Sequence, residues 1–195
     1  MLALKQTSRE ELAVKIKVAL CAAGAAMLMS GTALPASAQA LSDPVVAAKN
    51  PEALFHSKDP KLDRNKQAAY HIEFDLLEAH HWNEAGKWLT DKYIQHNPMA
   101  ASGLKGVVHY FVDVAHQKPL PLPAKMSVPV VAVVAEGDYV TVMTVRNLKD
   151  AKGNPYTTTW FDTWRFVDGK ADEHWDPQQL PGPPAPGPSA TASAK

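Results

Sequence analysis

The sequence predicts an α+β fold in which three N-terminal helices pack on a curved antiparallel sheet, and three observations carry that prediction. Apolar residues recur at helical spacing from Lys61 to about His116. The proline-broken stretch KPLPLPAK ends that pattern. From Val128 onward the repeat has a period of two, in runs rich in β-branched and aromatic residues. Helices first and a meander of strands afterwards is an α+β order. A curved sheet wrapped around its helices is expected to leave a deep apolar cavity.

The first 38 residues carry a basic start (Lys5, Arg9, Lys15, Lys17), an apolar run from Val18 to Leu34 and the small residues Ala36-Ser37-Ala38. That is the pattern of a secretory signal peptide, cleaved after Ala38 or Ala40. An uncleaved anchor is the alternative, although the Ala-rich run is short for a span of about 20 residues. The single cysteine, Cys21, lies inside this leader, so the mature chain is expected to have no disulfide and no thiol chemistry. Localisation is expected to be periplasmic or secreted. Residues 39–58 read as an N-terminal linker, 59–180 as the folded domain and 181–195, rich in Pro, Ala and Ser, as a disordered tail.

Within the domain, Asp59-Pro60 opens a long amphipathic helix, with Asp as cap and Pro tolerated in the first turn. Its buried face is expected to hold Ala69, Ile72, Leu76 and Tyr70, Phe74, Leu77, His81. A shorter helical segment follows around Asn83 to Leu89, and Tyr93-Ile94-Gln95-His96-Asn97-Pro98 enters a turn. Ser102 caps a third helix from Leu104 to about His116, with Val107, Val108, Phe111 and Val114 as its apolar stripe. Val128 to Ala135 and Tyr139 to Asn147 then form a hairpin about Gly137-Asp138.

The chemistry-bearing stretch is the last hairpin, Thr157 to Gln179. Asp168-Gly169 marks its turn, and ionisable Asp162, His174 and Asp176 stand where a purely structural hairpin would carry Val or Thr. Alternation puts His174 and Asp176 on one face. A two-residue turn would pair Val167 with Lys170 and set Asp162 opposite Trp175. A three-residue loop would pair Phe166 with Lys170 and set Asp162 opposite His174. The second is favoured, because it gathers Trp160, Asp162, Trp164 and Phe166 with His174 and Asp176 on one face, the composition of a pocket wall.

Desolvation in such a pocket would favour the protonated form of Asp176 and so bring it toward the range of a general base. His174, Asp162 and His96 are candidates for orienting that base or for hydrogen bonding an oxyanion. Tyr70, Phe74, Trp160 and Trp164 are candidates for the ligand-binding wall. His96, Asp162, His174 and Asp176 also have ligand types that suit zinc or non-haem iron, but no tight ligand pair sits on a helix, so no metal and no other cofactor is expected. Adjacent His80 and His81 cannot share a helix face. Lys plus Arg equals Asp plus Glu at 20 each, which leaves no basic field for nucleic acid. No phosphate-cradling glycine loop and no nucleophile elbow is present, so nucleotide and hydrolase readings fall away.

Several segments together resemble a known family: YIQHNP after two helices, a helix beginning near Gly106, the strand pair around AEGDYV, and FDTWRFVDGKADEHWDPQQ. From about Lys66 to Gln179 the chain is similar to the SnoaL-like polyketide cyclases of the nuclear-transport-factor-2-like superfamily. The resemblance implies a cone-shaped α+β fold, frequent homodimers through the outer sheet face, and cofactor-free chemistry on a carbon acid. It implies that Asp176, on the last strand, is the base and that Asp162 is its partner. The expected activity is that of an aldol-type cyclase, isomerase or dehydratase on a hydrophobic carbonyl compound. The alternative is a non-catalytic binding protein for a small apolar ligand. The partners expected are that small molecule and a second copy of the chain, through a surface including Glu173 and Trp175, with no nucleic acid and no stable membrane anchor after cleavage.

Overall fold

The computed structural model describes residues 43–180, so the expected leader with Cys21 and the expected tail lie outside the described residues. Asp59 caps the first helix as its sequence predicts. Its carboxylate accepts from the Lys61 and Leu62 amides at 2.8 and 3.0 Å, and Pro60 takes the first turn. Helix α1 (Pro60–His71) then changes pitch: Ile72–Glu78 is a π-helix, closed by the Ala79 amide bonding the Phe74 carbonyl at 3.0 Å. The wider turn carries the consecutive residues Ile72, Glu73 and Phe74 into the interior together with Leu76. A carboxyl group is thereby buried among apolar side chains.

A 3₁₀ turn, Trp82–Lys87, leads into strand β1 (Leu89–Gln95), and helix α2 (Leu104–His109) continues as a π-helical turn, Tyr110–Val114. Ser102, the expected cap of α2, accepts instead from the Gln95 amide at 3.0 Å, while Gly103 holds the cap position. Val114, expected on the apolar stripe, is 57% exposed. Phe111 fulfils that role by stacking on Trp82 with ring centroids 3.8 Å apart. Gly106 has a steric reason to be glycine: a Cβ there would lie 2.6 Å from the Ala101 carbonyl oxygen.

Strands β2 (Val130–Glu136), β3 (Tyr139–Lys149), β4 (Pro155–Val167) and β5 (Lys170–Trp175) form the expected antiparallel meander. The sheet has a fifth strand: β1 pairs parallel with β5, giving the order β1-β5-β4-β3-β2 in a curved, unclosed sheet. The sheet is therefore mixed, and the residues read as a turn after a helical segment are its edge. The core lies between the inner sheet face and the helices, with Val130, Val140, Val142, Trp164 and Phe166 against Phe55, Ile72, Leu76 and Trp82. Phe55 belongs to the stretch expected as a linker, yet it is fully buried, and the Ala48 amide bonds the Val130 carbonyl at 2.8 Å.

The β4–β5 turn is the two-residue alternative rather than the favoured three-residue loop, and the register departs from it only beyond the turn. It has two residues, Asp168 (φ 49°) and Gly169 (φ 79°), pairing Val167 with Lys170. A bulge then inserts one extra residue on β5, so that Phe166 pairs with Ala171 but Arg165 pairs with Glu173. Asp172 and Glu173 consequently both reach Arg165, at 2.7 Å from Nη2 and 3.0 Å from Nε. Past the bulge Trp164 stands opposite His174. Asp162 thus shares the face of His174 and Asp176 by a different route from the favoured three-residue loop.

Candidate active site

The bulge fixes the geometry of three ionisable side chains. Nε2 of His174 lies 3.1 Å from Asp162 Oδ1, and Nδ1 lies 2.7 Å from Gln95 Oε1 and 4.0 Å from Asp176 Oδ2. The side chains of Asp162, His174 and Asp176 are 13%, 8% and 4% exposed. The Trp164 ring stacks on His174 at 5.1 Å, with Tyr93 at 6.3 Å. Both ring nitrogens of His174 face oxygen acceptors, and a neutral imidazole can donate to one alone.

Asp176 is held rigidly. Asn97 Nδ2 donates to its Oδ2 at 2.7 Å, and the Gln178 amide donates to its Oδ1 at 2.8 Å. Asp162 Oδ1 also accepts from Trp160 Nε1 at 3.2 Å. Ligand atoms of Asp162, His174 and Asp176 lie within 4.8 Å of one another, a spacing that fits a cation as well as a hydrogen-bonded set. The ring nitrogens are already committed to oxygen acceptors, which favours the hydrogen-bonded set.

These groups open onto a cavity of about 570 Å³. Ile72, Trp82, Leu89, Val107 and Trp164 supply apolar wall, and Arg146, Leu148 and Thr158, all exposed, stand at its rim. The Arg146 guanidinium lies 4.3 Å from the centroid of the Trp160 ring. Tyr93 points its hydroxyl inward, where it accepts from Trp164 Nε1 at 3.2 Å. Burial holds that phenol far above its usual value, with the Trp164 hydrogen bond opposing and the Asp162 and Asp176 charges adding, so it stays protonated.

The structure brings together Asp162, His174, Asp176, Trp160 and Trp164, and it places the other candidates elsewhere. His96 is on the outer side of the sheet, with Nε2 2.8 Å from Glu173 Oε1 and its ring stacked on Trp175 at 5.2 Å. His96 is therefore no part of the cavity wall. Tyr70 and Phe74 stack on each other at 5.4 Å, Phe74 within the helical core and Tyr70 packed against it, away from this cavity. The π-helical pitch turns Phe74 there, and Tyr70, one turn earlier in α1, stacks on it.

Tyr93, Gln95 and Asn97 were missed as site residues. Read as a strand rather than a turn, Tyr93-Ile94-Gln95-His96-Asn97 alternates, which sets these three on the inner face and His96 on the outer one. Glu73 was missed as well. It lies four residues after Ala69 and four before Leu77, inside the apolar face itself, and that spacing was the available signal.

A domain model described as the SnoaL-like domain matches residues 72–174, which is more than half of the 195-residue chain. No curated protein matches the sequence. Among solved structures, a nuclear-transport-factor-2-like protein of unknown function from Burkholderia pseudomallei is 16% identical over 60% of this chain and 91% of that one, with a TM-score of 0.42. A protein assigned to the SnoaL-like polyketide cyclases, from Jannaschia sp. CCS1, is 15% identical over 63% and 91%, with a TM-score of 0.43. The LEH-like epoxide hydrolase of M. tuberculosis is 12% identical over 58% and 80%, with a TM-score of 0.41. The domain model's match runs from the π-helical segment Ile72–Glu78 through strands β1 to β4 to His174 on β5, and by it the chain belongs to the SnoaL-like domain family.

Proposed function

We propose that this protein is an exported, cofactor-independent acid/base enzyme acting on a hydrophobic carbonyl compound, with Asp176 as general base. The observation that carries the reading is the cluster in which His174 is hydrogen bonded to Asp162 and lies 4.0 Å from Asp176, in the wall of an otherwise aromatic and aliphatic cavity. Asp176 removes a proton from the carbon next to the substrate carbonyl. The enolate oxygen that results accepts a hydrogen bond from Tyr93, which uses its oxygen as an acceptor toward Trp164 and keeps its own hydrogen for a ligand. Aldol-type ring closure, isomerisation and dehydration all begin with this step. Membership of the SnoaL-like family and the basic-then-apolar N-terminal pattern support the activity and the export respectively.

The test is solvent exchange. The mature protein is incubated with 2-tetralone, a hydrophobic ketone with acidic α-protons, in D₂O, and the α-proton signals are followed by NMR. Catalysed loss of those signals is the expected result. One observation favours the second reading, a non-catalytic binding protein: both oxygens of Asp176 already accept hydrogen bonds, from Asn97 and Gln178. Tight binding of apolar ketones with no exchange across a ketone panel would establish that reading instead.

We also assign the outer sheet face to a homodimer contact. Tyr139 and Phe161 are 47% and 44% exposed there, beside Glu173 and the Trp175 ring that Tyr139 approaches at 6.1 Å. Sedimentation of the mature protein should give a dimer; a monomer at every concentration removes the assignment.

A further inference from the structure

Glu73 takes no part in the chemistry above. It is 3% exposed, and its Oε1 has no hydrogen-bond partner among the described residues. An orphaned carboxyl oxygen in an interior is costly and calls for an explanation. Glu73 borders a second cavity, of about 380 Å³, together with Glu78, Ser127, Thr144, Arg146 and Asp162. Asp162 and Arg146 line this chamber and the larger cavity alike.

Asp162 has one oxygen engaged in hydrogen bonds and one without a partner among the described residues. Its hydrogen bonds with Trp160 Nε1 and His174 Nε2 both engage Oδ1, and no hydrogen bond among the described residues reaches Oδ2. Two carboxyl groups therefore border one polar chamber, each with an oxygen lacking a partner. The Asp162 charge disfavours a second negative charge on the buried Glu73.

We propose that Glu73 and Asp162 form a carboxyl pair across the smaller chamber that holds one proton, kept on Glu73 and spanned by a neutral hydrogen-bonding group such as water. Glu73 is thus a positioning residue. By keeping the proton it leaves Asp162 as the carboxylate that orients the His174 ring. The groups facing Glu73 are Asp162 from β4, Arg146 from β3 and Glu78 from its own segment. Burial, then the Asp162 charge, raise its carboxyl well above the ordinary range, Arg146 opposes them, and Glu78 adds to the rise. The role of the pair in turnover rests on the acid/base reading; the pair itself does not.

The experiment is a titration of the mature protein. With ¹³C-labelled glutamate, the Glu73 carboxyl is followed by NMR against pH in the wild type and in Asp162→Asn, with Glu73→Gln identifying the resonance. Infrared spectra at neutral pH should show a protonated carboxyl band that Glu73→Gln removes. In Asp162→Asn the Glu73 titration should move to lower pH, because a negative neighbour has gone. Stability gives a further readout. The folded state holds the Glu73 proton more tightly than the unfolded chain, so stability falls as pH rises from the ordinary carboxylate range through the raised value. Glu73→Gln should flatten that fall. An unchanged Glu73 titration in Asp162→Asn, or a carboxyl band that survives Glu73→Gln, overturns the pair. None of these readouts needs turnover, so a failed exchange assay and a failed pair are separate results.

Discussion

Trp164→Ala should destabilise the domain by about 3–5 kcal/mol, measured as a shift in the denaturant midpoint. The indole is 1% exposed, lies on β4 between Val140 and His174, and closes the apolar wall of the cavity beneath the His174 ring. Its removal enlarges a cavity that is already large, and neighbouring strands cannot collapse into the space because both are held by ladder hydrogen bonds. The change also deprives the buried Tyr93 oxygen of the hydrogen bond from Nε1, which adds about 1 kcal/mol. Domains of this size have only about 5–15 kcal/mol in total, so the variant will sit close to unfolding. Trp164→Phe separates the two effects, since it keeps most of the packing and loses the donor. A cost below about 1 kcal/mol for Trp164→Ala would mean that the ring is not a packed part of the core.

Asp176→Asn should lower the exchange rate on 2-tetralone by about 10²–10⁴-fold while leaving the fold and ketone affinity nearly unchanged. The substitution preserves shape and removes the group that takes the proton. It also reverses one hydrogen bond: the Asn97 amide donates to Asp176 Oδ2, and an amide nitrogen at that place would meet it donor to donor. Rotating the Asn97 amide restores that bond but gives up the one its oxygen accepts from the Met99 amide, so the variant loses one hydrogen bond, at a cost of about 1 kcal/mol. Full activity in this variant would remove Asp176 as the base and shift the role to Asp162, the other carboxylate of the set.

The face shared by Asp162, His174 and Asp176 was legible from the sequence, although the register behind it was not. Asp168-Gly169 located the turn, and period-two alternation assigned the faces. The bulge at Asp172 left no such mark. It is stabilised by contacts between strands, with Arg165 reaching both Asp172 and Glu173, and Thr90 donating to Asp172 at 2.7 Å. These contacts lower both carboxyls below their usual values, through Thr90 and then Arg165 for Asp172, and through His96 and then Arg165 for Glu173. Strand β1 was hidden for a related reason. Its LTDKYIQ sequence is short and polar, and its partner is a strand about 80 residues later, reached through a parallel pairing that no turn announces.

The sequence by itself determined the capped start of α1, the antiparallel meander and the family, because these depend on local propensity and on periodicity within single segments. Tertiary structure alone decided that His96 faces outward against Glu173 and Trp175, that Tyr70 and Phe74 belong to the helical core, and that Glu73 is buried beside Asp162. The physical reason is common to His96, Phe74 and Glu73. A one-residue change of strand register or of helical pitch leaves local preferences almost untouched, yet it turns every following side chain toward a different neighbour.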